Sequence, residues 1–166
     1  MSDDQDFAAF YHATYARLVV QLFAVTGNVH DAEDVAQEAF ARACVRWHRV
    51  RAYDVPVAWV RRVAFNLAIQ GRRRARRAVR LRDRLDPPGH APALSVEHVV
   101  LVEALGKLPL RHRQVLVLHY LADLPVEQIA RELGIAVGTA KSRLSRAREA
   151  LAVQFANGEG VDRGTR

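Results

Sequence analysis

The sequence predicts an all-α protein built as two small helical domains joined by a flexible linker, the second containing a helix-turn-helix. Three observations predict it. Apolar residues recur at three-and-four spacing in both halves of the chain, the period of a helix with one buried face. The alternating β-branched runs that strands require are missing. The stretch Asp86-Pro87-Pro88-Gly89-His90-Ala91-Pro92 interrupts every regular pattern, because proline fixes φ and removes a backbone donor while glycine relaxes the chain. These features place a first domain at 1–84, a linker at 85–95, a second domain at 96–156 and a disordered tail at 157–166, where apolar periodicity ends.

The clearest helix lies between Asn28 and Trp47, where Ala32, Val35, Ala36, Ala39, Phe40 and Ala43 form one buried stripe. Asn28 can cap it, and acidic residues fill its first turn. Cys44 is expected on its inner edge as a packed, inert thiol. A second helix should begin at Pro56, since a first-turn proline gives up only a donor that would be unsatisfied anyway. Val60, Val63, Ala64 and Leu67 are expected to face inward, leaving Trp59, Arg62, Asn66, Gln70 and Arg73 on another face. In the second half, apolar residues from Leu116 to Leu151 supply a helical core divided into short helices at Pro109, Pro125 and Gly134.

Composition narrows the function. Half of the 166 residues are apolar, enough to build a packed core. One cysteine excludes an internal disulfide and the usual zinc-finger ligand sets, which fits a reducing cytoplasm. The acidic start lacks a signal peptide's basic and apolar regions, and no stretch reaches the roughly 18 apolar residues that span a bilayer, so no membrane insertion is expected. A formal net charge of +7 favours an acidic partner such as nucleic acid. The charge is uneven: Asp3, Asp4, Asp6, Asp31, Glu33, Asp34 and Glu38 precede position 41 with only Arg17 against them, whereas 42–84 is dominated by arginine.

Val126 to Leu133 forms a short helix, Gly134-Ile135-Ala136 permits a sharp turn, and Val137 to Leu151 forms a longer helix. This is the outline of a helix-turn-helix. Ala140, Leu144, Ala147 and Leu151 make an inner stripe on the second helix. Lys141, Ser142, Ser145 and Arg146 are left together outside, flanked by Arg143 and Arg148. Small hydroxyls allow close approach to base edges, and cations pair with guanine acceptors or phosphate.

The run from Leu133 through Gly134-Ile135-Ala136-Val137-Gly138-Thr139-Ala140-Lys141-Ser142-Arg143-Leu144-Ser145-Arg146-Ala147-Arg148 resembles region 4 of extracytoplasmic-function sigma factors of bacterial RNA polymerase. Leu108-Pro109-Leu110-Arg111-His112-Arg113-Gln114-Val115-Leu116 resembles its lead-in. In the first half, Asp31-Ala32-Glu33-Asp34-Val35-Ala36-Gln37-Glu38-Ala39-Phe40 resembles the family's region 2 helix. Val63-Ala64-Phe65-Asn66-Leu67-Ala68-Ile69, with the arginines after it, resembles the promoter-melting segment. The resemblance covers about residues 5 to 153, in the family's order. Gln70 stands where an acid is common in the family and Pro125 where a Ser-type cap is common.

The resemblance implies a sigma factor that binds core polymerase, recognises promoter DNA, melts it and starts transcription. It assigns Asp31, Asp34, Gln37, Glu38 and Arg42 to the clamp helices of the polymerase's largest subunit. Acids grouped on an exposed face steer a basic partner, although acids in a first turn also balance the helix dipole. The minus-ten element would meet Arg51, Tyr53, Trp59, Arg62, Asn66 and Arg73, since unpaired bases need surfaces to stack on and an amide to read them. Trp59 fits either this face or the core. The arginines from Arg72 to Arg84 read as a phosphate-binding tract or as a solvated helix extension. Thr139, Lys141, Ser142, Arg143, Ser145 and Arg146 would meet the minus-thirty-five element. An anti-sigma factor is an expected partner, and the location is the bacterial cytoplasm.

No phosphate loop, nucleophile elbow or zinc-protease motif occurs. No catalytic residue, cofactor or metal is expected, and phosphodiester synthesis would belong to the polymerase. Seven scattered histidines lack carboxylate or cysteine neighbours at ligand spacing, and only His112 and His119 share a face. The alternative function is a stand-alone regulator that binds a duplex operator as a dimer.

Overall fold

The computed structural model describes residues 3–79 and 96–159, with side chains at 3–74 and 99–156. The expected linker 85–95 lies outside the described residues, as do Arg80, Arg82, Arg84 and residues 160–166. All the described regular elements are helices, and the chain divides into two compact units at residues 92 and 93.

In the first unit, α1 (Asp3–Thr26), α2 (Val29–Val45) and α4 (Pro56–Val79) pack pairwise, and the short α3 (Trp47–Val50) closes against α1 and α2. Gly27 takes φ 75° between α1 and α2, a left-handed turn that an L side chain resists. Asn28 then caps α2 by accepting a hydrogen bond from the Asp31 amide at 3.2 Å. The expected stripe is present: Ala32, Ala36, Ala39, Phe40 and Ala43 are buried and Val35 is half-buried. Its alanines let α1 and α4 approach closely. An aromatic cluster fills one end of the unit, with Trp47 buried 5.3 Å from Phe7 and 4.9 Å from Phe10, and Tyr11 edge-on to Phe40 at 5.0 Å.

Two expectations need correction here. The buried face of α4 is Val60, Arg61, Ala64, Phe65 and Ala68, whereas Val63 and Leu67 are only half-buried. The stripe is rotated because its phase is set by the two helices that α4 packs against, and small Ala64 and Ala68 face them better than Val63 and Leu67. Cys44 is exposed. It follows the fully buried Ala43, and the 100° step of the helix carries it away from the core.

In the second unit, α8 (Val137–Glu159) packs against α5 (Val96–Gly106), α6 (Leu110–Tyr120) and α7 (Val126–Leu133). Arg113, buried at the start of α6, donates to the carbonyls of Gly106 at 2.9 Å and Leu108 at 3.1 Å, which ties α5 to α6. Pro109 and Pro125 stand at the N-caps of α6 and α7 without a side-chain cap bond. Pro125 thus holds the extended backbone of the position where the resembled family carries Ser. Gly134, at φ 65°, ends α7, and the Ile135 amide reaches back to the Ala130 carbonyl at 3.0 Å. This closure turns the chain into α8 within three residues. Helix α8 continues to Glu159, three residues into the segment expected to fray from Asn157.

Candidate nucleic-acid and docking surfaces

The longest helix of the helix-turn-helix sorts its residues as its period requires. Ala140, Leu144 and Ala147 are buried, while Lys141, Ser142, Ser145 and Arg146 are exposed together and Thr139 and Arg143 are half-buried. Ser142 Oγ donates to the Thr139 carbonyl at 3.1 Å, which leaves its oxygen able to accept. Ser145 Oγ lies 3.5 Å from Glu149 Oε1, so a carboxylate borders this face. Behind it stands His112 of α6, whose Nδ1 is buried without a partner. Burial, then the neighbouring charges of Arg111, Arg146 and Arg143, push the His112 pKa below its ordinary value. Burial is the larger cause, and the arginines add to it.

Two neighbours of this face escaped the sequence reading. Arg148 Nε donates to Tyr120 Oη at 2.7 Å, Arg148 Nη2 lies 3.3 Å from His119 Nε2, and the guanidinium carbon lies 5.6 Å from the Tyr120 ring centroid. His119 Nδ1 lies 3.1 Å from the Leu124 carbonyl. The residues are 28 and 29 positions apart in sequence, so only the charge of Arg148 was visible beforehand. His112 and His119 share no site: the first faces arginines and the second is engaged by Arg148 and a carbonyl.

On α4, Arg62, Asn66, Gln70 and Arg73 are exposed along one stripe and Trp59 is half-buried at its start. Trp59 therefore keeps part of its ring in solvent at the edge of the core. Tyr53 is exposed in the loop before α4. Arg51 is exposed but engaged: its Nη1 donates to Asp3 Oδ1 at 2.5 Å and lies 3.8 Å from Asp6 Oδ2. The arginines of α4 whose side chains are described do not form a single surface. Arg61 is 5% exposed, and half-buried Arg72 directs Nη1 at the Val25 carbonyl at 3.5 Å, whereas Arg73 and Arg74 face solvent.

On α2, Asp31, Asp34, Gln37, Glu38 and Arg42 are all exposed. Glu38 and Arg42 form an ion pair at 2.7 Å, one turn apart. Asp31 and Asp34 border an open cavity of about 180 Å³ whose opposite wall includes Gly71 and Arg72 of α4. Tyr15 of α1 hydrogen-bonds Gln37 and lies stacked on Tyr11 at 4.8 Å, and burial raises its pKa. The exposed face of α2 thus has an aromatic margin contributed by α1.

Among the described residues, no group of three His, Cys, Asp or Glu side chains is placed to hold a metal ion. No described helix is long and apolar enough to cross a membrane.

Residues 10–78 match the family description "Sigma-70 region 2" and residues 98–151 match "Sigma-70, region 4". The chain is 34% identical over 173 residues to the ECF RNA polymerase sigma factor SigW of Bacillus subtilis, covering 92% of this chain and 90% of that protein. It is 35% identical over 134 residues to the ECF RNA polymerase sigma factor SigL of Mycobacterium tuberculosis, covering 76% of each. Among solved structures, CnrH in complex with the cytosolic domain of CnrY is similar at TM-score 0.68 and 25% identity, covering 93% of this chain and 90% of that one. The sigma factor RpoE of Bartonella quintana, solved with the anti-sigma factor NepR, shares the fold at TM-score 0.79 and 24% identity over 92% of this chain and 98% of that one.

Proposed function

The chain belongs to the extracytoplasmic-function sigma factors of RNA polymerase, and from that premise we propose how its surfaces divide the work of promoter recognition. The observation that carries the proposal is the turn at Gly134, which leads into a helix whose Lys141, Ser142, Ser145 and Arg146 share one exposed face. Laid in a major groove, that face reads the minus-thirty-five element: Lys141 and Arg146 pair with guanine or phosphate, and Ser142 and Ser145 allow close approach. Thr139 and Arg143 flank the contact.

The exposed stripe of α4 takes the minus-ten strand. Trp59 and Tyr53 offer surfaces for unstacked bases, Asn66 an amide that can read a base edge, and Arg62 and Arg73 charge for the backbone. Arg51 joins them once released from its carboxylates. The acidic face of α2, Asp31 to Arg42, docks on the clamp helices of the largest polymerase subunit. The protein supplies specificity and strand separation while the polymerase supplies catalysis, so it acts in the bacterial cytoplasm. The complexes of RpoE with the anti-sigma factor NepR and of CnrH with the cytosolic domain of CnrY support an anti-sigma partner here.

A stand-alone regulator using the helix-turn-helix is not favoured, because residues 10–78 carry the second family segment as well. The test is in vitro transcription from a genomic fragment library with purified core polymerase, with and without the protein, mapping the starts. New starts that share two spaced upstream elements are expected. Operator binding by the protein alone, with no new starts, would overturn the proposal.

A further inference from the structure

The cluster of Arg148, Tyr120 and His119 has no place in the division of labour above, yet its geometry is specific. A guanidinium can only donate and a carbonyl can only accept. The His119 ring, between Arg148 Nη2 at 3.3 Å and the Leu124 carbonyl at 3.1 Å, must therefore carry its proton on Nδ1 and accept at Nε2. Arg148 is thus held by two neutral acceptors, the Tyr120 hydroxyl and the His119 ring. These order the guanidinium without cancelling its charge. They occupy two of its five N–H groups and leave three for another acceptor. Exposed Arg51 is held in the opposite way, by the carboxylates of Asp3 and Asp6, which neutralise it.

The position of Arg148 identifies that acceptor. Lys141, Ser145 and Arg148 follow one another at four and three residues, so they lie on one stripe of α8. From Lys141 to Arg148 the helix rises about 10 Å, close to the roughly 12 Å width of a major groove. With Lys141 over the bases, Arg148 reaches the wall of the groove, where the phosphates are.

We propose that Arg148, ordered by Tyr120 and His119, is a prebuilt site for a backbone phosphate of duplex DNA beside the minus-thirty-five element. Tyr120 and His119 are positioning residues that act through Arg148. The contact adds affinity and register without reading sequence. It rests on the reading that α8 enters the major groove.

The experiment measures holoenzyme affinity for a promoter fragment recovered by start mapping, and for the same fragment with an altered minus-thirty-five element, over a range of salt. Arg148→Ala should weaken both about tenfold and flatten the log–log salt slope by about 0.9, the signature of one lost phosphate. Between roughly 50 and 200 mM salt the loss of affinity should then shrink by about 3.5-fold. Arg148→Lys should keep the slope while losing several-fold in affinity, since its charge remains and its ordering does not. Tyr120→Phe should cost about threefold in affinity with thermal stability unchanged, as only the Oη acceptor is removed. An unchanged slope in Arg148→Ala, or a Tyr120→Phe variant that melts earlier and binds DNA normally, would show a brace between α6 and α8 and overturn the proposal. The underlying reading fails separately: Lys141→Ala and Arg146→Ala would then leave discrimination between the two fragments untouched.

Discussion

The outer face of α8 and the basic stretch of the first unit are both rich in cations in sequence, yet folding treats them differently. On α8 the inner stripe of Ala140, Leu144 and Ala147 leaves Lys141, Arg146 and Arg148 exposed on one rigid element. In the first unit, Arg61 is buried, Arg72 turns to the Val25 carbonyl, Arg51 is neutralised by Asp3 and Asp6, and Arg62 and Arg73 stay exposed on α4. A cation in sequence becomes a cation on a surface only where helix phase and neighbours permit. The face of α8 can therefore be read from its period alone, whereas a face assembled from a loop, a helix and a distant N-terminal turn cannot.

The acidic face of α2 gives the largest expected effect and separates the two units. Asp34→Arg together with Glu38→Arg reverses charge on two exposed positions and strands Arg42 beside a new cation. Like-charge contacts across an interface cost several kcal/mol, so affinity for core polymerase should fall at least about a hundredfold. Titration with labelled core checks this, and unchanged affinity would remove α2 from the docking surface. Any residual holoenzyme should select minus-thirty-five sequences normally.

Next in size, Lys141→Ala with Arg146→Ala should lower discrimination among minus-thirty-five sequences by about 10- to 100-fold, as a good base contact is worth about 1–3 kcal/mol. Core affinity should not change, because these residues lie on the other unit. Competition between start sites in one transcription reaction reads both quantities. Equal effects on both, in a folded variant, would break the division between the units.

Asp3→Asn with Asp6→Asn tests the contrast between the two held arginines. Exposed ion pairs contribute about 0–1 kcal/mol, so freeing Arg51 should tighten holoenzyme binding to an unpaired minus-ten strand by only about twofold. Adding Arg51→Ala should abolish the gain. A gain that survives Arg51→Ala would come from net charge alone and would remove Arg51 from the minus-ten face.

What was legible in the sequence follows the same division. The capped α2 stripe, the break at Gly134, the two faces of α8 and the outward stripe of α4 all rest on local period and turn chemistry, and all are present. The phase of the α4 core was misread because Val63 and Leu67 are more apolar than Ala68 and Arg61, while the buried face is set by the helices that α4 packs against and includes both large and small residues. The exposure of Cys44 turned on one 100° step. The pairing of Phe7 and Phe10 with Trp47, of Asp3 with Arg51, and of Tyr120 with Arg148 joins residues far apart in sequence, for which spacing carries no signal.

The smallest expected effect concerns His112, where the cationic face of α8 meets the core of its own unit. Burial, followed by the charges of Arg111, Arg146 and Arg143, lowers its pKa from the ordinary 6.5. Between that value and the lower folded one, the unfolded chain binds more protons than the folded protein, so stability must rise with pH. The contribution is complete above pH 6.5 and is lost as pH falls through the folded value. Urea melts of the full chain across this interval should show a midpoint that drops on acidification. His112→Gln, which does not titrate, should flatten that dependence. An equally steep dependence in His112→Gln would assign it to other groups and leave the burial of His112 and the arginines around it without this thermodynamic cost.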